Sequence, residues 1–97
     1  MNIQKMMRQA REMQERMQQE LAALEVEASA GGGMVTVKMT GHKQLTAVTI
    51  DPEIVAADDP AMLADLVLVA VNDAARRVDE EMQSRMGSLT GGLPGFG

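Results

Sequence analysis

Two long amphipathic segments limit the folds open to this chain of 97 residues. In residues 2–24, apolar side chains recur every three or four positions with no interrupting Gly or Pro, which predicts a helix on the order of 35 Å long. A second helix is predicted from Pro60, where Asp59 can act as the N-cap, to Met86, with Gly87 as its terminator. Because so short a chain cannot cover two apolar faces of this length, we expect a twofold homodimer to bury them.

Three short strands are predicted between these helices. Alternating apolar and polar residues, β-branched side chains and intervening glycines place the strands at 25–30, 34–40 and 45–50. Residues 51–55 are predicted to form a short helical turn. The predicted fold class is therefore α+β, in the order α-β-β-β-α, with a three-stranded antiparallel sheet flanked by two long helices.

The composition argues against several classes of function. The chain has no Cys, which rules out disulfides and thiolate metal sites, and its single His, His42, cannot by itself supply the ligands of a zinc site. Neither the three serines nor Gly31–Gly33 lies in a nucleophile or phosphate-loop motif. No apolar run approaches the roughly 20 residues that span a bilayer, and the first residues lack the apolar core of a signal peptide. We therefore predict a cytoplasmic protein that is not an enzyme, uses no cofactor or metal, takes no small-molecule substrate and has no membrane partner.

The charge of the chain makes nucleic-acid binding a question of local surface. The formal net charge of −5 argues against a general basic footprint, and the single aromatic residue argues against base stacking. Residues 1–16 nevertheless carry a local charge of +2. Four cations lie on the side of the first helix opposite its apolar stripe: Lys5, Arg8, Arg11 and Arg16.

Two interpretations of the cations remain open. Those of the first helix can form a solvated face with i,i+4 ion pairs, or they can bind phosphate. The ion pairs that the spacing allows are Arg8–Glu12, Arg11–Glu15 and Glu12–Arg16. On the second helix, Arg76, Arg77 and Arg85 are flanked by acidic residues, and the same choice applies, because arginine near a helix C-terminus also stabilises the helix dipole.

Several segments, in this order and spacing, together resemble one known family. They are Gln9–Gln18 (QAREMQERMQ), Ala30–Val37 (AGGGMVTV), Val48–Glu53 (VTIDPE), Met62–Leu66 (MLADL), Ala70–Arg77 (AVNDAARR) and Gly91–Phe96 (GGLPGF). Through them nearly the whole chain resembles the YbaB/EbfC nucleoid-associated proteins. The resemblance implies an intertwined homodimer whose helices project like tweezers, binding of double-stranded DNA with little sequence preference, and a role in nucleoid organisation and gene regulation. It also implies a location in the nucleoid and no catalysis.

The resemblance and the residue pattern lead to specific site predictions. By resemblance, the DNA-binding residues are Lys5, Arg8, Arg11, Arg76, Arg77 and Arg85. The predicted dimer interface consists of Met6, Met13, Met17, Val35, Val37 and Met82. Residues 1–86 are predicted to form a single dimerisation and DNA-binding domain, and residues 87–97 a flexible Gly-rich tail. The alternative functions are a protein-interaction module, with a Met-rich contact surface and an acidic exterior that keeps it soluble, and a small enzyme or ligand-binding protein.

Overall fold

The computed structural model describes residues 2–90, including the side chains of residues 2–85. Its elements are α1 (Ile3–Ala23), β1 (Glu25–Ala30), β2 (Val35–Thr40), β3 (Leu45–Ile50), α2 (Pro52–Ala56) and α3 (Pro60–Thr90). The predicted α-β-β-β-α order is confirmed, and the predicted helical turn after the third strand is the short helix α2.

Polar side chains begin each helix. The Asn2 side chain accepts a hydrogen bond from the Lys5 N–H of α1 at 3.2 Å. Asp59 accepts one from the Met62 N–H of α3 at 3.1 Å, as its predicted role as N-cap requires.

The end of α3 differs from the prediction. The helix continues through Gly87 to Thr90, because one glycine inside a helix costs only about 1 kcal/mol relative to alanine and therefore does not by itself stop the helix. The predicted tail beyond Thr90 lies outside the described residues, and the division of the chain at residue 86 remains a prediction.

The sheet is an antiparallel meander in the order β1-β2-β3. Glu25 pairs with Thr40 and Ala30 with Val35, so the chain turns back between β1 and β2 at Gly31–Gly33. All three of these glycines have positive φ, a conformation that costs glycine little. The sheet therefore has one end formed by this glycine turn and an opposite end formed by the β2–β3 loop.

The core lies between α3 and the first two strands. Small side chains, Ala70 and Ala74, let α3 lie close to the sheet, and Val78 extends the contact. Val35 and Val37, predicted to belong to a subunit interface, are 0 % exposed within the single chain because α3 covers them. Within the single chain these two side chains therefore belong to the core, and their place in a subunit interface stays a prediction.

One helix does not cover the whole sheet. Strand β3 has no buried residue, and its apolar side chains remain open: Leu45 is 44 %, Val48 47 % and Ile50 38 % exposed. Ile50 pairs with Val35 and Val48 with Val37, so these side chains continue the apolar rows of the core beyond the edge of α3. The face that the core occupies is therefore only partly covered by the chain itself.

The molecule is far more elongated than a compact domain of its size. Its radius of gyration is 19.1 Å and its extents are 67 × 31 × 15 Å, whereas a compact 97-residue domain has a radius of gyration of about 12–13 Å. Both α1 and the last part of α3 leave the body at the β2–β3 loop end of the sheet. On one side α1 leads into Glu25, which pairs with Thr40, and on the other Asp79 of α3 lies 2.9 Å from Lys43 of the loop.

Candidate nucleic-acid interface

Helix α1 is an arm attached to the body at one end. All of residues 2–20 are exposed, and α1 contains no buried residue. The attachment is at its C-terminus, where Leu24 is buried and the Gly41 N–H donates hydrogen bonds to the carbonyl oxygens of Leu21 at 2.9 Å and of Leu24 at 3.1 Å. We call residues 3–20 the arm.

The cations of the arm have no anionic partner among the residues that the structure describes. Among residues 2–85, no carboxylate oxygen lies within 4.0 Å of the side-chain nitrogens of Lys5, Arg8, Arg11 or Arg16. The three i,i+4 pairs that the spacing allows are therefore not formed in this part of the chain. The arm presents four exposed cations, spread over about 17 Å of helix axis at about 1.5 Å per residue, that are available to an external anion.

The opposite side of the arm is apolar and equally exposed. Met6, Met13 and Met17, which were predicted to lie at a subunit interface, each expose more than half of their surface. Ile3 and Met7 extend this face towards the tip. The single chain leaves this apolar stripe uncovered, and exposed apolar surfaces of this size usually mark a site of interaction.

The arginines of α3 differ from those of the arm, because each has a carboxylate partner. Arg76 donates to Asp73, and Arg77 Nε lies 3.2 Å from Asp73 Oδ2. Arg85 Nε lies 3.6 Å from Glu81 Oε1. A phosphate would have to compete with these carboxylates for the guanidinium groups.

Asp73 is the centre of this ion-pair network. Its side chain is 19 % exposed, and the hydrogen bond from Arg76, together with the charges of Arg76 and Arg77, holds the pKa of the carboxyl below its usual value. The same interaction raises the pKa of Arg76. Arg77 also donates from Nη1 to the carbonyl oxygen of Glu27 at 3.0 Å, which ties α3 to the outer edge of β1. Of the six residues predicted to bind DNA, the structure thus places three on the free arm and three in contact with acidic residues.

The charges of the chain are strongly segregated. The arm, residues 3–20, has four cations and three carboxylates and a net charge of +1, whereas residues 21–97 have a net charge of −6. The body therefore repels a polyanion and the arm attracts it, so an acidic net charge is compatible with a local surface that attracts anions.

Two features of this site were not found from the sequence. One is the open apolar face of β3, since its side chains follow the same pattern as those of a covered strand. The other is the close approach of Gly41 to α1, for which a lone glycine in a predicted loop gave no specific signal.

Among the described residues, no helix is both long enough and apolar enough to cross a bilayer.

Comparisons with known proteins show the family and the fold of the chain. The model of a family described as the YbaB/EbfC DNA-binding family matches residues 1–93. A nucleoid-associated protein of Chloroflexus aurantiacus is 51 % identical, with 99 % of each chain covered. Another, from Koribacter versatilis, is 50 % identical over 98 % of this chain and 96 % of its own. The crystal structure of an uncharacterised protein from Helicobacter pylori has a TM-score of 0.74 at 18 % identity, covers 92 % of this chain and 97 % of its own, and supports the fold alone.

Proposed function

Because the chain belongs to the YbaB/EbfC DNA-binding family, we propose that it binds double-stranded DNA as a homodimer, with little sequence preference, through its two arms. It acts in the nucleoid, where it contributes to DNA organisation and gene regulation, and it has no catalytic role. The observation that carries this proposal is the set of four exposed cations on a projecting helix, without carboxylate partners among the described residues.

Phosphate contacts account for both the binding and its low specificity. The arm has no aromatic side chain for base stacking, and its cations are arginine and lysine, which pair well with phosphate oxygens. Contacts to the backbone carry no sequence information directly, so random and defined duplexes should bind alike. Arg76, Arg77 and Arg85 are secondary contacts in this proposal, because each already has a carboxylate partner.

The uncovered apolar surfaces support the homodimer. Three strands at about 4.8 Å spacing make a sheet about 14 Å wide, whereas one packed helix occupies about 10 Å. The face of β3 therefore has room for a second helix. The first part of α3 also exposes apolar side chains on its outer side, with Leu68 60 % and Val69 56 % exposed. A twofold axis that places α3 of each copy on β3 of the other would bury both surfaces at once.

The methionines remain part of the proposed interface. Met6, Met13 and Met17 lie on the apolar side of the arm, and Met82 is half-buried next to the core. Their flexible side chains can adapt to a surface of irregular shape. A dimer built in this way carries eight arm cations in two groups, which a single chain cannot provide.

The test is a gel-shift series over salt concentration, beside sedimentation of the free protein. If most of the eight cations contact phosphate, the logarithm of the binding constant should fall with the logarithm of salt concentration with a slope of about −7. A slope near zero would refute binding through the arm cations, and the absence of a shift at low salt would refute DNA binding. A single-chain mass at micromolar concentration would refute the homodimer.

The exposed methionine face of the arm also fits a second candidate, a protein-interaction module. In that case a purified partner would bind equally well after nuclease treatment and would be lost when Met13 and Met17 are replaced by serine. Retention that depends on nucleic acid would favour the DNA-binding proposal instead.

A further inference from the structure

The arm is held to the body by the start of the β2–β3 loop. The Gly41 N–H donates to the Leu21 and Leu24 carbonyl oxygens, which are among the groups that a helix end leaves without partners. The same loop is tied to α3, since Lys43 Nζ lies 2.9 Å from Asp79 Oδ1. Contacts therefore run continuously from α1 through the loop to α3.

Position 41 leaves no room for a side chain. A Cβ atom built on Gly41 would lie 2.5 Å from the Leu21 carbonyl oxygen and 3.1 Å from both its carbonyl carbon and its Cα. All three atoms belong to the backbone of α1, so no side-chain rotation can relieve the overlap. Gly41 is not among the positive-φ residues, so alanine is compatible with its backbone conformation and only the close approach excludes it.

We propose that Gly41 is a positioning residue that sets the direction in which the arm leaves the sheet, and so where its cations meet DNA. This role in DNA binding rests on the function proposed above. Because residues 2–20 are exposed, little else in the chain resists a change of direction. If a side chain moves the Leu21 carbonyl by about 1 Å while Leu24 stays anchored, the helix turns by about 10°, and its tip, about 31 Å from Leu24, moves by about 5 Å.

The test measures the direction of the arm directly. The chain has no cysteine, so spin labels can be attached at Gln9→Cys on the arm and Ser84→Cys on the exposed part of α3. Labelled protein diluted with unlabelled protein reports the distance within one chain by pulsed electron–electron double resonance. In the Gly41→Ala background, we expect the mean distance to shift by up to about 4 Å, since Gln9 lies about 22 Å from the anchored Leu24. A mean within about 1 Å of the parent would overturn the proposal.

A matched variant separates positioning from loss of stability. Gly32→Ala introduces a methyl group into open space but strains a residue whose φ is +67°, so it weakens the fold without touching α1. We expect Gly32→Ala to leave the distance unchanged and to bind duplex DNA like the parent, whereas Gly41→Ala binds several-fold more weakly. A shifted distance with unchanged DNA affinity would refute the link to binding. If the parent binds no DNA, the proposed function fails, and the distance measurement still decides whether Gly41 directs the arm.

Hydrogen exchange keeps the proposal testable if Gly41→Ala does not fold. In the parent, the Gly41 amide should exchange far more slowly than the same amide in an unfolded peptide, since it donates to the end of α1. Exchange at the rate of an unprotected amide would show that the junction is not formed, and would overturn the proposal.

Discussion

Charge reversal on the arm is the sharpest test of which cations bind DNA. The double variant Arg8→Glu, Arg11→Glu removes two phosphate contacts per chain, or four per dimer. Each phosphate contact raises the logarithm of the binding constant by about 0.9 when the salt concentration falls from 1 M to 0.1 M, because counterions are released. Losing four contacts should therefore weaken binding by roughly three to four orders of magnitude at 0.1 M salt and reduce the salt slope from about −7 to about −4.

The matched control reverses the same number of charges on α3. Arg76→Glu, Arg85→Glu gives the same net charge but replaces arginines that already contact carboxylates, so we expect a much smaller loss of affinity and a salt slope close to that of the parent. Fluorescence anisotropy with a labelled duplex measures both the affinity and the salt slope. The salt concentration should run from about 50 to about 200 mM, where the affinity of proteins that contact phosphates changes strongly. Circular dichroism and sedimentation verify that both variants fold and assemble alike. Equal losses in the two variants, or an arm variant that binds like the parent, would refute the division of labour between α1 and α3.

The remaining predictions concern the ion-pair network, the core and the dimer surface. Asp73→Asn should lower the free energy of unfolding at neutral pH, and the difference from the parent should vanish in acid. The pKa of the Asp73 carboxyl is lower in the folded state than its unfolded-state value of about 3.9. The ionised carboxylate therefore stabilises the fold above about pH 3.9, and this stabilisation is lost as the pH falls through the folded-state pKa. Urea unfolding of both proteins between about pH 7 and pH 2 checks this, and a difference independent of pH would contradict it. Val37→Ala should lower the free energy of unfolding by about 2–3 kcal/mol, because it removes two methyl groups from a fully buried position. Val55→Ala, at an exposed position, should change it by less than about 0.5 kcal/mol. Similar values for the two variants would disprove the assignment of Val37 to the core. Val48→Glu should dissociate the dimer in sedimentation experiments while each chain stays folded, and Thr49→Glu, on the opposite side of β3, should not; a dimeric Val48→Glu protein would exclude this surface.

The elements of the fold were predictable because they depend on local properties. Helical periodicity without Gly or Pro predicted α1, alternation and β-branching predicted the strands, and Asp59 with Pro60 predicted the start of α3. The end of α3 was not predicted correctly, since a single glycine is compatible with either stopping or continuing a helix. The concentration of cations on the side of the first helix opposite the apolar stripe was likewise visible from spacing alone.

The partners of these residues were decided only by the tertiary structure. The cations of the arm lie without carboxylate partners among the described residues, whereas those of α3 pair with Asp73 and Glu81 of their own helix, although the spacing is similar. Only the packing of α3 against β1 brings Arg77 to the Glu27 carbonyl. Val35 and Val48 have the same apolar character, yet only Val35 is covered, since one helix is narrower than three strands. The close approach of Gly41 to Leu21 joins residues far apart in the chain. Periodicity determines which faces of each element are apolar or charged, but the distances between elements determine which of those faces remain free to bind.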